Sequence, residues 1–243
     1  MYRIISETDA GLIRDNNQDC LQAGTIGEHT LWAVVCDGMG GASGGKIASE
    51  TAVQIISKNI VSHYKEEMGL NSIRSVLFTA VSAANAMIYD MAQNDEDLKG
   101  MGTTVVAMII SGDTACIAHA GDSRAYKVGR ETLEQITKDH SIVQFLVEQG
   151  EITQEEARSH PNKNFITRAV GVQSDIEIDY NEITLADDDK ILICTDGLTN
   201  CVTDEEIHAT LMSEDAQLSA RRLVEKANQH GGQDNISVVV ITQ

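Results

Sequence analysis

Four short apolar segments crowd into one stretch, at residues 103–110, 114–119, 124–128 and 132–137, with only a few residues between each and the next. A parallel pair of strands needs a crossover of about a dozen residues, so turns this short imply antiparallel pairing. Further strands are predicted at 31–36 (LWAVVC), 176–184, 190–194 and 236–241 (ISVVVI). Helical spacing runs through 45–63, where Ala48, Ala52, Val53, Ile56 and Ile60 share a face. It is strongest at 72–91, where Ile73, Leu77, Ala80, Val81, Ala84 and Ile88 form one stripe. Shorter helices are predicted at 141–149, 153–158, 204–212 and 216–229. Regular strand–helix–strand alternation is absent, so the expected class is α+β, antiparallel sheet covered by helices. With no repeat, low-complexity tract or linker, the 243 residues are read as a single domain over 1–243.

Thirty-seven acidic residues against eighteen basic ones leave a net charge of −19. That balance argues against nucleic acid as a partner and suits a protein that holds divalent cations. The apolar runs at 105–110 and 238–241 fall far short of the ~18 residues of a membrane span. The opening MYRIISETDAG has no apolar signal core. Five cysteines lack any C-x-x-C pair, and Cys36, Cys116 and Cys194 lie in or at the end of apolar runs. The expectation is a reduced, cytoplasmic setting with no membrane partner.

Four aspartates share a setting at strand ends. Asp37 and Asp196 leave predicted strands and precede glycine, Asp234 enters one after Gly231-Gly232, and Asp122 sits in the turn Gly121-Asp122-Ser123. In an antiparallel sheet an exit and an entry lie at the same edge, so these carboxylates are expected to converge there. Clustered carboxylates repel unless a cation sits among them. Oxygen ligands without His or Cys suit Mg²⁺ or Mn²⁺. The polar run Arg14-Asp15-Asn16-Asn17-Gln18-Asp19 adds an arginine able to fork onto phosphate beside another carboxylate. Asp122 and Arg124 also share one turn, which by itself implies a local salt bridge of little worth.

In order, the segments are Arg14-x-x-Asn17-Gln18-Asp19, Asp37-Gly38-Met39-Gly40-Gly41, Met101-Gly102-Thr103-Thr104 and Gly121-Asp122-Ser123-Arg124-Ala125-Tyr126. They continue with Thr137-Lys138-Asp139-His140-Ser141, Ile166-Thr167-Arg168-Ala169-Val170-Gly171, Thr195-Asp196-Gly197-Leu198 and Gly231-Gly232-Gln233-Asp234-Asn235. This succession resembles the bacterial, single-domain members of the PPM (2C-type) family of metal-dependent serine/threonine protein phosphatases. The resemblance implies a four-layer α-β-β-α sandwich of two antiparallel sheets. It implies two Mn²⁺ or Mg²⁺ ions, with Asp37 bridging both and holding the nucleophilic water, and the Gly38 carbonyl on the second. Asp196 and Asp234 complete the first ion, and Asp19 acts on the second through water. Asp122 with Asp196 matches a third metal site, Arg14 matches the phosphate-binding arginine, and residues 141–170 match a flap that influences substrate choice. The implied reaction is hydrolysis of phosphoserine and phosphothreonine in proteins by a metal-bridging hydroxide. The implied biology is a monomer opposing a bacterial serine/threonine kinase. The chain departs from the family pattern at Met39 and Ala42, where eukaryotic and bacterial members respectively often carry histidine.

Two rival readings are weaker. Gly40 to Lys46 fits the G-x4-G-K spacing of a phosphate-binding loop, but Ile47 stands where that loop needs Ser or Thr. A binding protein on the phosphatase fold would lack a metal aspartate, and none is missing. No cysteine is followed by arginine six positions on, which excludes a thiolate phosphatase of the C-x5-R type. His63, His160 and His208 are expected at the surface, and His119 in the core with its hydrogen bonds met.

Overall fold

The computed structural model describes residues 3–213 and 216–242. In chain order the strands and helices begin with β1 (Arg3–Asp9), β2 (Asp19–Ile26) and β3 (Thr30–Met39). Two long helices follow, α1 (Gly41–His63) and α2 (Leu70–Asn94). Next come β4 (Gly102–Thr103), β5 (Val105–Ser111), β6 (Thr114–Ala120), β7 (Arg124–Val128) and β8 (Leu133–Gln135). The flap region carries α3 (Ile142–Glu148) and α4 (Gln154–Ser159). The chain closes through β9 (Asp179–Thr184), β10 (Lys190–Cys194), α5 (Asp196–Thr199), α6 (Asp204–Leu211), α7 (Ser219–Gln229) and β11 (Ile236–Thr242).

Two antiparallel sheets result. One runs β1-β11-β10-β7-β8, and the other runs β2-β3-β5-β6-β9 with β4 paired to β3. The two-residue period explains the layering. In β3, Leu31, Ala33 and Val35 face the other sheet, meeting Ile191, Ile193, Val239 and Ile241 from β10 and β11. Trp32, Val34 and Cys36 point the other way, into the layer with α1 and α2. Leu192, Cys194, Val238 and Val240 likewise turn outward beneath α5, α6 and α7. Strands buried on both faces read as unbroken apolar runs, and that is why these were legible. The expected α-β-β-α sandwich is present.

α2 is long and apolar enough, by length and composition, to cross a membrane. Its stripe Ile73, Leu77, Ala80, Val81, Ala84 and Ile88 is instead buried in the layer against α1 and the sheet.

Three readings need correction. β1 and β2 went unrecognised. Each is an edge strand with one neighbour, and its exposed residues break the apolar pattern. The turn at 121–123 is no hairpin: β6 pairs with β5 and β9, and β7 with β10 and β8, so this turn carries the chain from one sheet to the other. A turn's length limits how far the chain travels, and a step between stacked sheets is as short as a hairpin. The phosphate-loop rival fails in three dimensions, because helix α1 already starts at Gly41 and the sheet beside it is antiparallel.

Candidate active site

The inward row of β3, Leu31-Ala33-Val35, continues to Asp37 at the rim of the sandwich. Antiparallel register sets Asp19 directly opposite Asp37. Like charges facing each other across a strand pair destabilise it, so this pairing must serve something other than folding. Asp196 begins α5 just past β10, and Asp234 stands two residues before β11, its antiparallel neighbour. Asp122 lies in the turn between the sheets. The carboxylates therefore converge, but from the edges of two facing sheets rather than from one.

A cavity of about 590 Å³ opens at this rim, lined by Asp37, Gly38, Asp122, Asp196, Asp234 and Arg14 among others. Asp19 is buried behind it. Asn164 and Ile166 from the flap region form part of the wall, so segment 141–170 does flank the site. The chain's polar motifs set this rim. The Asp37 N–H donates to Thr104 Oγ1 at 2.9 Å, and Thr103 Oγ1 and the Thr104 N–H donate to the Asp37 carbonyl, each at 2.8 Å. Asn235 accepts from the Gln18 N–H at 2.8 Å and donates to the carbonyls of Ala10 and Asn16 at 3.0 and 2.9 Å. That one amide fastens the N-terminal loop, with Arg14, to the start of β11. Gly38 is required by space, since a Cβ there would stand 2.0 Å from the Gly45 carbonyl oxygen.

The electrostatics are those of an acid cluster with little counter-charge, Arg14 being paired with Asp234 alone among the described residues. Burial, then the neighbouring acids, raise the Asp19 carboxyl to about 7 against hydrogen bonds from Ser237 and Thr195. Burial, then Asp19, Asp196 and Asp122, push Asp37 well above the carboxylate range. Burial, then Asp196, do the same to Asp122, and burial with Asp234 raises Asp196. Asp19 Oδ1 and Asp196 Oδ1 are buried with no hydrogen-bond partner. Such oxygens are costly unless something fills them. Among the described residues Arg14 reaches only Asp234, Nη2 to Oδ2 at 2.8 Å, with its side chain 54% exposed. Orphaned, hard, anionic oxygen donors fit a divalent cation such as Mg²⁺ or Mn²⁺.

The chain matches the family model "Protein phosphatase 2C" over residues 14–230. It belongs to that family. The phosphatase is 38% identical over 239 residues to the serine/threonine phosphatase stp of Listeria welshimeri, across 96% of this chain and 93% of the relative. It matches the solved serine/threonine phosphatase of S. agalactiae with a TM-score of 0.93 and 35% identity, covering 100% of this chain and 99% of that one. It also matches the catalytic domain of the serine/threonine protein phosphatase PstP, solved in complex with two manganese ions. There the TM-score is 0.85 and the identity 34%, over 99% of this chain and 97% of the other. The family is metal-dependent, and the chain is an enzyme, a protein phosphatase of the 2C type.

Around the site of the phosphatase, some groups stand where the sequence did not suggest. Arg124 leaves Asp122 alone and forks onto Asp139, with Nε–Oδ1 at 2.9 Å and Nη2–Oδ2 at 2.6 Å. The expected local salt bridge is therefore absent, and Asp122 stays with the cavity. His119 is buried, with Nε2 on the Lys138 carbonyl at 2.9 Å, but its Nδ1 has no partner, so its bonding is only half met. Its ring stacks on that of His140, centroids 4.7 Å apart. Together with Asp179 these rings offer three ligand atoms within 4.8 Å of one another. Arg168 already holds that spot, its Nη1 at 2.6 Å from Asp179 and 2.9 Å from His140 Nε2. His140 also grips the turn of Asp122: its Nδ1 accepts from the Gly121 N–H at 3.0 Å, and its own N–H donates to the Gly121 carbonyl at 2.9 Å. The motif Thr-Lys-Asp-His-Ser pointed to this histidine without revealing the contact. Met39 lines the cavity, and the Ala42 side chain lies outside the described residues.

Proposed function

We propose that this phosphatase hydrolyses phosphoserine and phosphothreonine in proteins, with Asp37, Asp196, Asp234 and the Gly38 carbonyl holding two divalent cations. The carrying observation is the convergence of Asp37, Asp122, Asp196 and Asp234 on one cavity rim with Asp19 behind it, Asp19 and Asp196 each having a buried, unpartnered oxygen. When bound, Mn²⁺ or Mg²⁺ supplies an acidified water near neutral pH and offsets the charge of the phosphoryl group. Asp37 would be the shared ligand. Asp19 would act through water from behind it, and Asp122 with Asp196 would serve a third site.

Arg14 turns from Asp234 to an incoming phosphate once the aspartates are neutralised, and its planar fork fits two phosphate oxygens. It thereby orients phosphorus over Asp37 and stabilises the equatorial oxygens as charge gathers there. No histidine is among the described residues lining the cavity, so the leaving oxygen takes its proton from water. The whole chain acts as one catalytic domain, with 141–170 as its substrate flap. Its setting is the cytoplasm, where it works as a monomer against a bacterial serine/threonine kinase. The buried free thiols of Cys36, Cys116 and Cys194 support a reducing compartment.

Phosphate release from a phosphothreonine peptide tests the reading. Release is expected with Mn²⁺ or Mg²⁺, none with EDTA, and a loss of at least a thousandfold in folded Asp37→Asn. Metal-independent release, or full turnover by that variant, would refute it.

A further inference from the structure

A second cavity, of about 220 Å³, opens beside the catalytic one and shares Met39 and Ile166 with it. Met39, Ile166, Val172 and Ile176 give it an apolar lining, and Asp175 and Glu177 line it together with Arg168, which pairs with Glu177 at 2.7 Å. Met39 ends β3 two residues past Asp37. A Cβ at Gly102 would stand 2.7 Å from Val172 Cγ2 and 3.0 Å from Met39 Cε, so both side chains close over bare backbone of β4. The result is an apolar floor running out from the phosphate site.

That floor is rigidly held. Thr103 and Val170 exchange both backbone hydrogen bonds, at 3.0 and 2.8 Å. Asn85, buried on α2, accepts from the Gly171 N–H at 2.7 Å and donates to the carbonyls of Gln173 and Ser174 at 3.0 and 3.1 Å. One buried amide thus fixes the loop on both sides of Val172. Val172 itself is 44% exposed, and none of the catalytic roles uses it. Two acids against one base leave the charged lining net negative. Glu177 shares Arg168 with Asp179, while Asp175 meets the Ser174 hydroxyl at 3.3 Å.

We propose that this cavity is a substrate subsite for a long basic side chain, Arg or Lys, flanking the phosphorylated residue of a protein substrate. Such a side chain has both chemistries the walls offer. Its aliphatic stem lies over Met39 and Val172, and its charged head meets Asp175, beside the Glu177 that Arg168 holds. An aliphatic residue would leave Asp175 without a cation, and an acidic one would be repelled by it. The proposal rests on the phosphatase reading and adds the substrate class. Because the subsite is remote from phosphorus, it acts mainly through KM.

The test uses the full chain with Mn²⁺. Matched phosphothreonine peptides carry Arg, Leu or Glu at each position from three before to three after the phosphoresidue. p-Nitrophenyl phosphate, which has no flank, reads the chemistry alone. At one position the Arg peptide is expected to exceed both Leu and Glu in kcat/KM by about tenfold, an exposed ion pair adding to a covered stem. Asp175→Lys should abolish that preference and Val172→Ser should lower the Arg and Leu peptides, with p-nitrophenyl phosphate turnover unchanged in both. Equal rates for Arg, Leu and Glu, or an Arg preference that survives Asp175→Lys, would overturn the subsite. Loss of all turnover, p-nitrophenyl phosphate included, in the unmodified protein would instead bring down the phosphatase reading and the subsite with it.

Discussion

Asp37 and Asp19 show how far single residues are legible. Each stands beside a recognisable motif, and the strand-end position of Asp37 follows from LWAVVC alone. That the two are directly opposed became visible only once β2 was in register with β3. Arg14 is a similar case. Its place in a dense polar run was readable, but its ion pair with Asp234, 220 positions away, was not. Because that pair is exposed, Arg14→Ala should cost little stability. Its expected effect is on substrate: KM for a phosphopeptide rises roughly tenfold or more, the worth of a charge-assisted hydrogen bond, with a smaller change in kcat. Steady-state kinetics with metal-saturated enzyme check this. An unchanged KM would remove Arg14 from phosphate binding.

At the scale of elements, the long helices and the doubly buried strands were predictable because burial imposes a clear period on the sequence. β1 and β2 were not, since an edge strand with exposed residues carries no such period. The turn at 121–123 has the length of a hairpin, yet it joins strands of different sheets. What holds it in place lies outside it. Gly121 has φ +116, a conformation glycine tolerates and other residues resist. His140 clamps it by accepting from the Gly121 N–H and donating to the Gly121 carbonyl. His140→Ala leaves that buried N–H unpartnered, at a cost of about 1–3 kcal/mol, and frees the Asp122 turn. The variant should need more Mn²⁺ for half-maximal activity, as Asp122→Ala is expected to, and His140→Asn, which keeps an acceptor, should recover part of the loss. Activity titrations against Mn²⁺ with thermal melts decide it. A loss of stability with an unaltered Mn²⁺ requirement would make the clamp purely structural.

The whole molecule spends stability on its acid cluster, and pH exposes the cost. Asp19 ordinarily titrates near 3.8, and burial with its acidic neighbours raises it to about 7. The folded state then keeps a proton that the unfolded chain releases between those values, so this carboxyl lowers the stability of metal-free protein as pH rises from about 4 to about 7. Asp37, Asp122 and Asp196 shift in the same direction. His119 and His140 oppose them. Burial pushes both down, and His119 further lowers His140, so their contribution is lost as pH falls below about 6.5. The informative measurement is the difference between wild type and Asp19→Asn, melted in EDTA from pH 5 to 8. The variant's advantage should grow with pH, each kcal/mol raising Tm by about 2–4 °C in a chain of this size. Saturating Mn²⁺ should shrink it or reverse its sign. An advantage that does not grow with pH would show that the Asp19 carboxyl is not held protonated. By itself the sequence determined the α+β class, the order of motifs, and the aspartates proposed to hold the metal. Those follow from local burial periods and from residue types, which are properties of short segments. Only the tertiary structure decided that two sheets rather than one bring the acids together, that Arg124 serves Asp139, and that a second cavity adjoins the first. Each of these is a contact between segments far apart in the chain, set by register and layer packing, which no local pattern records.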